Sequence, residues 1–181
     1  MIGVAILGHR RAAVLLALLL AAAVAVPVVA YVVVPLFVRS TLVEALPSAT
    51  AAAPATSGVT ASSGTTPAAQ PTPVTLAKGD LVRVSAVDFG SGVVRVVQVG
   101  SDRFLRFEDV EIAGAPDMYV YLSDRADGKP GTFVDLGKLK ATNGSFNYPI
   151  PASVDLGGIR SVVVWCRQFT VTVTYALLAR S

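Results

Sequence analysis

Three patterns of apolar and polar positions follow one another along the chain, and each predicts a different kind of element. From Ala12 to Val38 no residue is charged and nearly all are apolar. A bilayer-spanning helix needs roughly 20 such residues, so this run predicts one transmembrane helix, with Pro27 and Pro35 kinking or ending it near its outer side. From Ser48 to Thr75 the pattern dissolves into Ala, Thr, Ser and Pro without a charge and with almost nothing to bury, which predicts a disordered tether. As flexible coil its ends would lie about 30 Å apart on average. From Leu76 onward β-branched residues arrive in short runs with turn signals about every eight to twelve residues and no long helical period. The prediction is an all-β domain, an antiparallel β-sandwich of about seven to nine strands.

Strands are expected near Asp80 to Val87, Val93 to Val99, Arg103 to Asp109, Met118 to Ser123, Phe133 to Lys140 and Ser145 to Pro149, with a closing pair inside Ser161 to Leu178. Asn143-Gly144 carries the signature of a tight primed turn and is expected to join LGKLKA to SFNYPI as a hairpin. In the closing stretch, Phe169, Val171, Val173 and Tyr175 alternate with Thr170, Thr172 and Thr174, which predicts that the first set faces the core. Val162 to Cys166 is apolar on both faces. Arg167 and Gln168 lack the Gly or Asn of a two-residue turn, leaving either a bulged continuous strand or a hairpin of another kind; strand length favours the hairpin.

Composition sharpens the N-terminal reading. The chain has 181 residues, 53% of them hydrophobic, and a formal charge of +3. Arg10, Arg11 and Arg39 supply most of that excess outside the β region, where acidic and basic residues nearly balance. No basic face for nucleic acid is signalled. Arg10 and Arg11 precede the apolar run and outweigh Arg39 with Glu44 after it, so the positive-inside rule keeps residues 1–11 in the cytoplasm and exports the remainder. Two readings stand: an uncleaved signal anchor over 12–38, or a cleaved signal peptide with Ala12 to Val26 as its apolar region and Val28-Val29-Ala30 as its cleavage site. The continuation of the run to Val38 favours the anchor. The expected organisation is a cytoplasmic 1–11, an anchor at 12–38 in a single-pass cell-membrane protein, a linker at 39–75 and an extracytoplasmic β domain at 76–181.

The only histidine, His9, lies on the cytoplasmic side of the run. Ser-His-Asp and Cys-His nucleophile pairs, histidine zinc sites and histidine as a haem ligand are therefore absent from the β region. No C-x-x-C, C-x-x-C-H, Gly-x-Ser-x-Gly, phosphate loop or dinucleotide fingerprint occurs. Glu108, Asp109, Glu111 and Asp117 match no calcium-loop spacing and read as a solvated face, as do Asp124 and Asp127. Asn143-Gly144-Ser145 also fits a glycosylation sequon. Cys166, the only cysteine, stands beside the only tryptophan, Trp165. It reads either as a small buried hydrophobe or as a redox thiol or soft ligand, with Arg167 next to it able to favour a thiolate.

Taken in order, several blocks carry a resemblance. They are Gly114-Ala115-Pro116-Asp117 before Tyr119-Val120-Tyr121-Leu122-Ser123, then Leu136-Gly137-Lys138-Leu139-Lys140, Gly144 with Tyr148-Pro149-Ile150-Pro151, and Val164-Trp165-Cys166 with Phe169, Val171, Ala176 and Leu178. Over most of Lys78 to Ala179 the chain resembles the DM13 domain family, small extracytoplasmic domains found alone or beside DOMON and cytochrome modules. The resemblance implies an all-β domain with a proposed electron-transfer role. Its signature cysteine, here Cys166, would act as a bare thiol or bind a prosthetic group such as haem. Lacking a cytochrome or DOMON neighbour, the chain would need a separate redox partner. The alternative is a non-catalytic sandwich that binds or scaffolds an envelope partner.

Overall fold

The computed structural model describes residues 3–30, 39–47 and 71–181, with helix side chains from Leu15 onward. Residues 31–38 of the expected anchor and 48–70 of the expected linker lie outside the described residues. The chain divides into two compact units, Met1–Arg39 with Gly114–Pro116, and Ser40–Ala113 with Asp117–Ser181. The first holds helix α1, Gly3–Val28, with Pro27 in its last turn. Leu15, Leu16, Leu18, Leu19, Leu20, Val24 and Val26 are all exposed, so from Leu15 onward the helix presents apolar side chains to its surroundings. Among the described residues no helix is long and apolar enough to cross a membrane.

The second unit is mostly β. Its strands are β1 (Thr41–Val43), β2 (Val74–Arg83), β3 (Gly90–Val99), β4 (Asp102–Ile112), β5 (Met118–Ser123), β6 (Phe133–Lys138), β7 (Asn143–Ile150), β8 (Ser161–Cys166), β9 (Val171–Leu177) and β10 (Ala179–Arg180). Nine form one path, β1-β7-β4-β3-β2-β9-β8-β5-β6, and β10 pairs with β2. Every pairing is antiparallel except β1 with β7, which is parallel. The sheet is therefore mixed, a correction to the wholly antiparallel expectation, and the residues responsible lie in a stretch too short to show a pattern. β2 joins the two halves of the curled sheet, with β3 on one edge and β10 then β9 on the other, the two pairings offset along its length. Val74 to Asp80 pair with β3, and Leu81 to Arg83 pair with β9. The result is a half-barrel whose two inner faces meet.

Pattern explains the core. Val94 lies opposite Phe107, Phe107 opposite Phe146, Val96 opposite Leu105 and Leu105 opposite Tyr148, so these side chains share one face. From the other half come Val120, Leu122, Val162, Val164, Thr174 and Ala176, all sealed from solvent. Phe107 stacks on Phe146 at 5.0 Å between centroids, and both meet Tyr148 edge-on. The Tyr148 hydroxyl donates to the Lys138 carbonyl (3.0 Å) and accepts from the Lys140 amide (2.8 Å), tying β7 to the chain that leads into it.

Burial pushes the Tyr148 phenol well above its ordinary value of 10.0. Its protonated form is favoured in the fold, so its contribution to stability is complete below the ordinary value and is lost as pH rises beyond it. Tyr148→Phe is expected to cost about 1–3 kcal/mol, because two backbone groups lose their partner. Urea unfolding of the two forms measures this, and a loss under a few tenths would show that water replaces the hydroxyl.

Three local expectations change. Asn143-Gly144 is not a hairpin turn: it opens β7, whose neighbours are β4 and β1, whereas β6 pairs with β5. Gly144 has φ +108°, and a Cβ there would lie 2.1 Å from the Leu42 carbonyl oxygen, so the glycine serves the close approach of β1. The closing stretch is a hairpin, β8 to β9 with Cys166 opposite Val171, but its core face differs from the alternation. Phe169 and Val171 are exposed and Val173 is buried as expected, but Thr174 and Ala176 are buried too, opposite Val164 and Val162. The ladder shifts register between Val164 and Trp165, and Thr174 satisfies its hydroxyl by donating to the Val82 carbonyl at 2.8 Å. Finally, ordered structure reaches into the stretch assigned to the linker, at residues 39–47 and from residue 71.

Candidate functional site

Cys166 ends β8, opposite Met118 of β5 and Val171 of β9. Alternation along β8 puts it on the same face as Val162 and Val164, toward the core, and it is 0% exposed. Its neighbour Trp165 faces outward, directly opposite Tyr119. The strand thus separates the sulfur from the aromatic groups that the sequence placed near it.

The outer face is a layer of aromatic rings and cations. Tyr121 stacks on Phe133 at 4.2 Å and lies 6.5 Å from Tyr119. The Arg167 guanidinium covers the Tyr119 ring at 3.3 Å, donates from Nε to the Tyr121 hydroxyl at 2.6 Å, and pairs with Asp135. These partners, Tyr121 first, hold its charge more firmly than usual. Sequence proximity made Arg167 a candidate to activate the thiol, but its charge is engaged on this outer face. Lys138 Nζ sits 5.8 Å from the Tyr119 centroid and 3.6 Å from Asp117. No signal in the sequence linked Arg167 to Tyr121 or Asp135, since register alone brings them together.

The acidic groups find separate roles. Glu108 pairs with Arg95 and Arg106, Asp109 accepts from the Ser145 hydroxyl, and the Asp124 carboxylate accepts from the Thr132 amide. Among the described residues no group of three or more metal-ligating side chains assembles. The surroundings of Cys166 do not fit a haem. The sulfur is sealed, and the clefts lined by Leu76 and Leu178, by Lys78 and Tyr175, and by Trp165 and Thr172 do not include it in their walls.

A second polar centre escaped sequence reasoning. Glu44 Oε1 accepts from Lys140 Nζ (2.9 Å), and Oε2 accepts from the Asn147 amide (2.8 Å) and side-chain nitrogen (3.2 Å). Its only sequence signal was a charged residue after a short β-branched run.

Fold and site together define a small, mostly β module whose single cysteine closes a core strand beneath an aromatic outer face. A family model described as Electron transfer DM13 matches residues 82–178, and the chain belongs to that family. No curated protein and no solved structure matches the chain.

Proposed function

We propose that the β unit is an extracytoplasmic electron-transfer module, held at the cell membrane through residues 12–38, with Cys166 as its redox group and a separate envelope protein as its redox partner. The observation that carries this reading is the family match over 82–178, which includes Cys166. The anchor is supported by the charge-free run from Ala12 to Val38, longer than the roughly 20 residues a spanning helix needs, and by the exposed apolar side chains of α1 from Leu15 onward. Burial dictates how the sulfur works. A sealed thiol reacts only when the β8–β9 hairpin opens locally, at the turn 167–170. The chemistry is thiol–disulfide exchange: the Cys166 thiolate attacks one sulfur of a partner disulfide, a mixed disulfide forms, and the other sulfur leaves as thiolate, reduced by the electron pair of the broken bond.

The second reading is a non-catalytic binding or scaffolding module, favoured by the complete burial of Cys166. Labelling of the intact chain with a water-soluble aromatic disulfide, followed as a function of urea, separates the two. Under the electron-transfer reading the native chain is labelled roughly 100-fold slower than the unfolded chain, with little dependence on low urea, as local opening requires. Labelling that rises with the full urea slope of global unfolding, together with unchanged redox behaviour in Cys166→Ser, would leave the scaffolding reading. Cys166→Ala is then expected to cost only about 1 kcal/mol as a small change in packing.

A further inference from the structure

Residues 40–47 are chemically fastened to the β unit. β1 lies parallel along β7, with Thr41 opposite Asn143, Leu42 opposite Gly144 and Val43 opposite Ser145. Below it, the Ser40 carbonyl accepts from the amides of Thr142 (3.1 Å) and Asn143 (2.9 Å), and the Ser40 amide donates to the Thr142 hydroxyl (2.9 Å). Above it, the Glu44 amide donates to the Ser145 carbonyl (2.7 Å), and Asn147 Nδ2 donates to the Ala45 carbonyl (2.9 Å). Arg106 donates to the Glu44 carbonyl (3.3 Å) and to Asn147 Oδ1 (2.9 Å). At its centre the Glu44 carboxylate holds Lys140 and Asn147.

The fastening is mostly polar. Val43 is well exposed, and Leu42, Leu46 and Pro47 are only half-buried, so the apolar area that resists departure is modest beside the hydrogen bonds. The segment also lies between Arg39 and the stretch that leads to β2, so it decides where the covalent path enters the β unit.

We propose that residues 40–47 are a releasable clasp that sets the length of chain between the N-terminal segment and the β unit. Closed, the path enters the β unit at Ser40. Open, the covalent path runs on to β2 at Val74. The clasp stands on its own contacts, whether or not the N-terminal segment lies in a bilayer.

Glu44 makes the clasp sensitive to acid. Burial opposes its charge, but the Lys140 and Asn147 hydrogen bonds and the Lys140 charge outweigh it, so the carboxyl is held below its ordinary value of 4.5. Among the described residues, the titratable and charged groups around it include Tyr148 on β7, Arg106 on β4, and Glu108, which Arg106 and Arg95 neutralise. A depressed carboxylate contributes stability that is complete above its unfolded value and is lost as pH falls through the folded one. Acid therefore weakens the clasp, leaving the β1 ladder and the Ser40 hydrogen bonds to hold it.

The test is amide hydrogen exchange on the intact chain, comparing Thr142, Asn143, Glu44 and Asn147 with Val96 and Val164 in the core. In the wild type the first group is expected to exchange faster than the core, and the gap to widen as pH falls below the ordinary carboxylate value, after correction for intrinsic rates. Glu44→Gln is expected to speed the first group roughly tenfold or more at neutral pH and to remove the acid response, since a charge-assisted hydrogen bond becomes a neutral one. Exchange of the clasp at the core rate in the wild type, or a clasp insensitive to both acid and Glu44→Gln, overturns the proposal. If the variant accelerates core and clasp alike, the acid titration of the wild type decides by the same criterion.

Discussion

Phe107→Ala is expected to destabilise the β unit by about 3–5 kcal/mol, the range for a buried aromatic truncated to a methyl group. Its ring is 0% exposed, stacks on Phe146 and meets Tyr148 edge-on, so the truncation leaves a hole whose walls are two other rings. Rigid rings on paired strands fill such a space poorly. The loss is a large share of the roughly 5–15 kcal/mol that holds a domain folded, so the variant should lie near the edge of folding at physiological temperature. Urea unfolding reads this as a lower midpoint with an unchanged slope. Phe107→Leu, which keeps most of the volume, is expected to lose under about 1.5 kcal/mol. Equal losses for the two variants would show that ring stacking, and not filled volume, carries the energy.

Gly79→Ala is expected to strike the corner of the sheet. A Cβ on Gly79 would lie 2.0 Å from the Leu177 carbonyl oxygen and 2.9 Å from its carbon, both backbone atoms that no rotamer change can move. The position falls where β2 passes from β10, at Lys78, to β9, at Leu81. Relief requires β2 and β9 to separate, which breaks ladder hydrogen bonds on either side. The cost is at least the roughly 1–3 kcal/mol of an overpacked core. Hydrogen exchange at Val82 and Ala176 should rise more than at Leu105, because the lesion lies on the β2–β9 seam. Gly158→Ala is the control: a Cβ there meets nothing within 4 Å, and the change is expected to stay within about 0.5 kcal/mol. Equal effects from the two alanines would mean that the seam yields without loss.

The strands were legible where alternation and turn residues agree. Met118 to Ser123 was placed as it stands, and the Arg167–Thr170 hairpin followed from strand length alone. Misreadings came from contacts between residues far apart in sequence. Gly144 looks like a turn glycine, yet its missing side chain makes room for Leu42, about a hundred residues earlier. Thr174 looks solvent-facing by its hydroxyl, but Val82 across the sheet supplies an acceptor that makes burial cheap. Cys166 was identified from sequence as the residue to examine. Its inward direction, and the outward engagement of Arg167 with Tyr121 and Asp135, depend on register, which no single sequence displays.

The double partnership of β2 imposes an order of events on a newly made chain. β2, β3 and β4 are consecutive neighbours and can zip together as soon as they emerge, but the far edge of β2 waits for β9, roughly ninety residues downstream. Pairings of such long separation make folding slow, and meanwhile a bare hydrogen-bonding edge stays open to strands of other chains. Synthesis from one end lengthens that interval, so folding yield should rise when a chaperone shields β2 until β9 arrives.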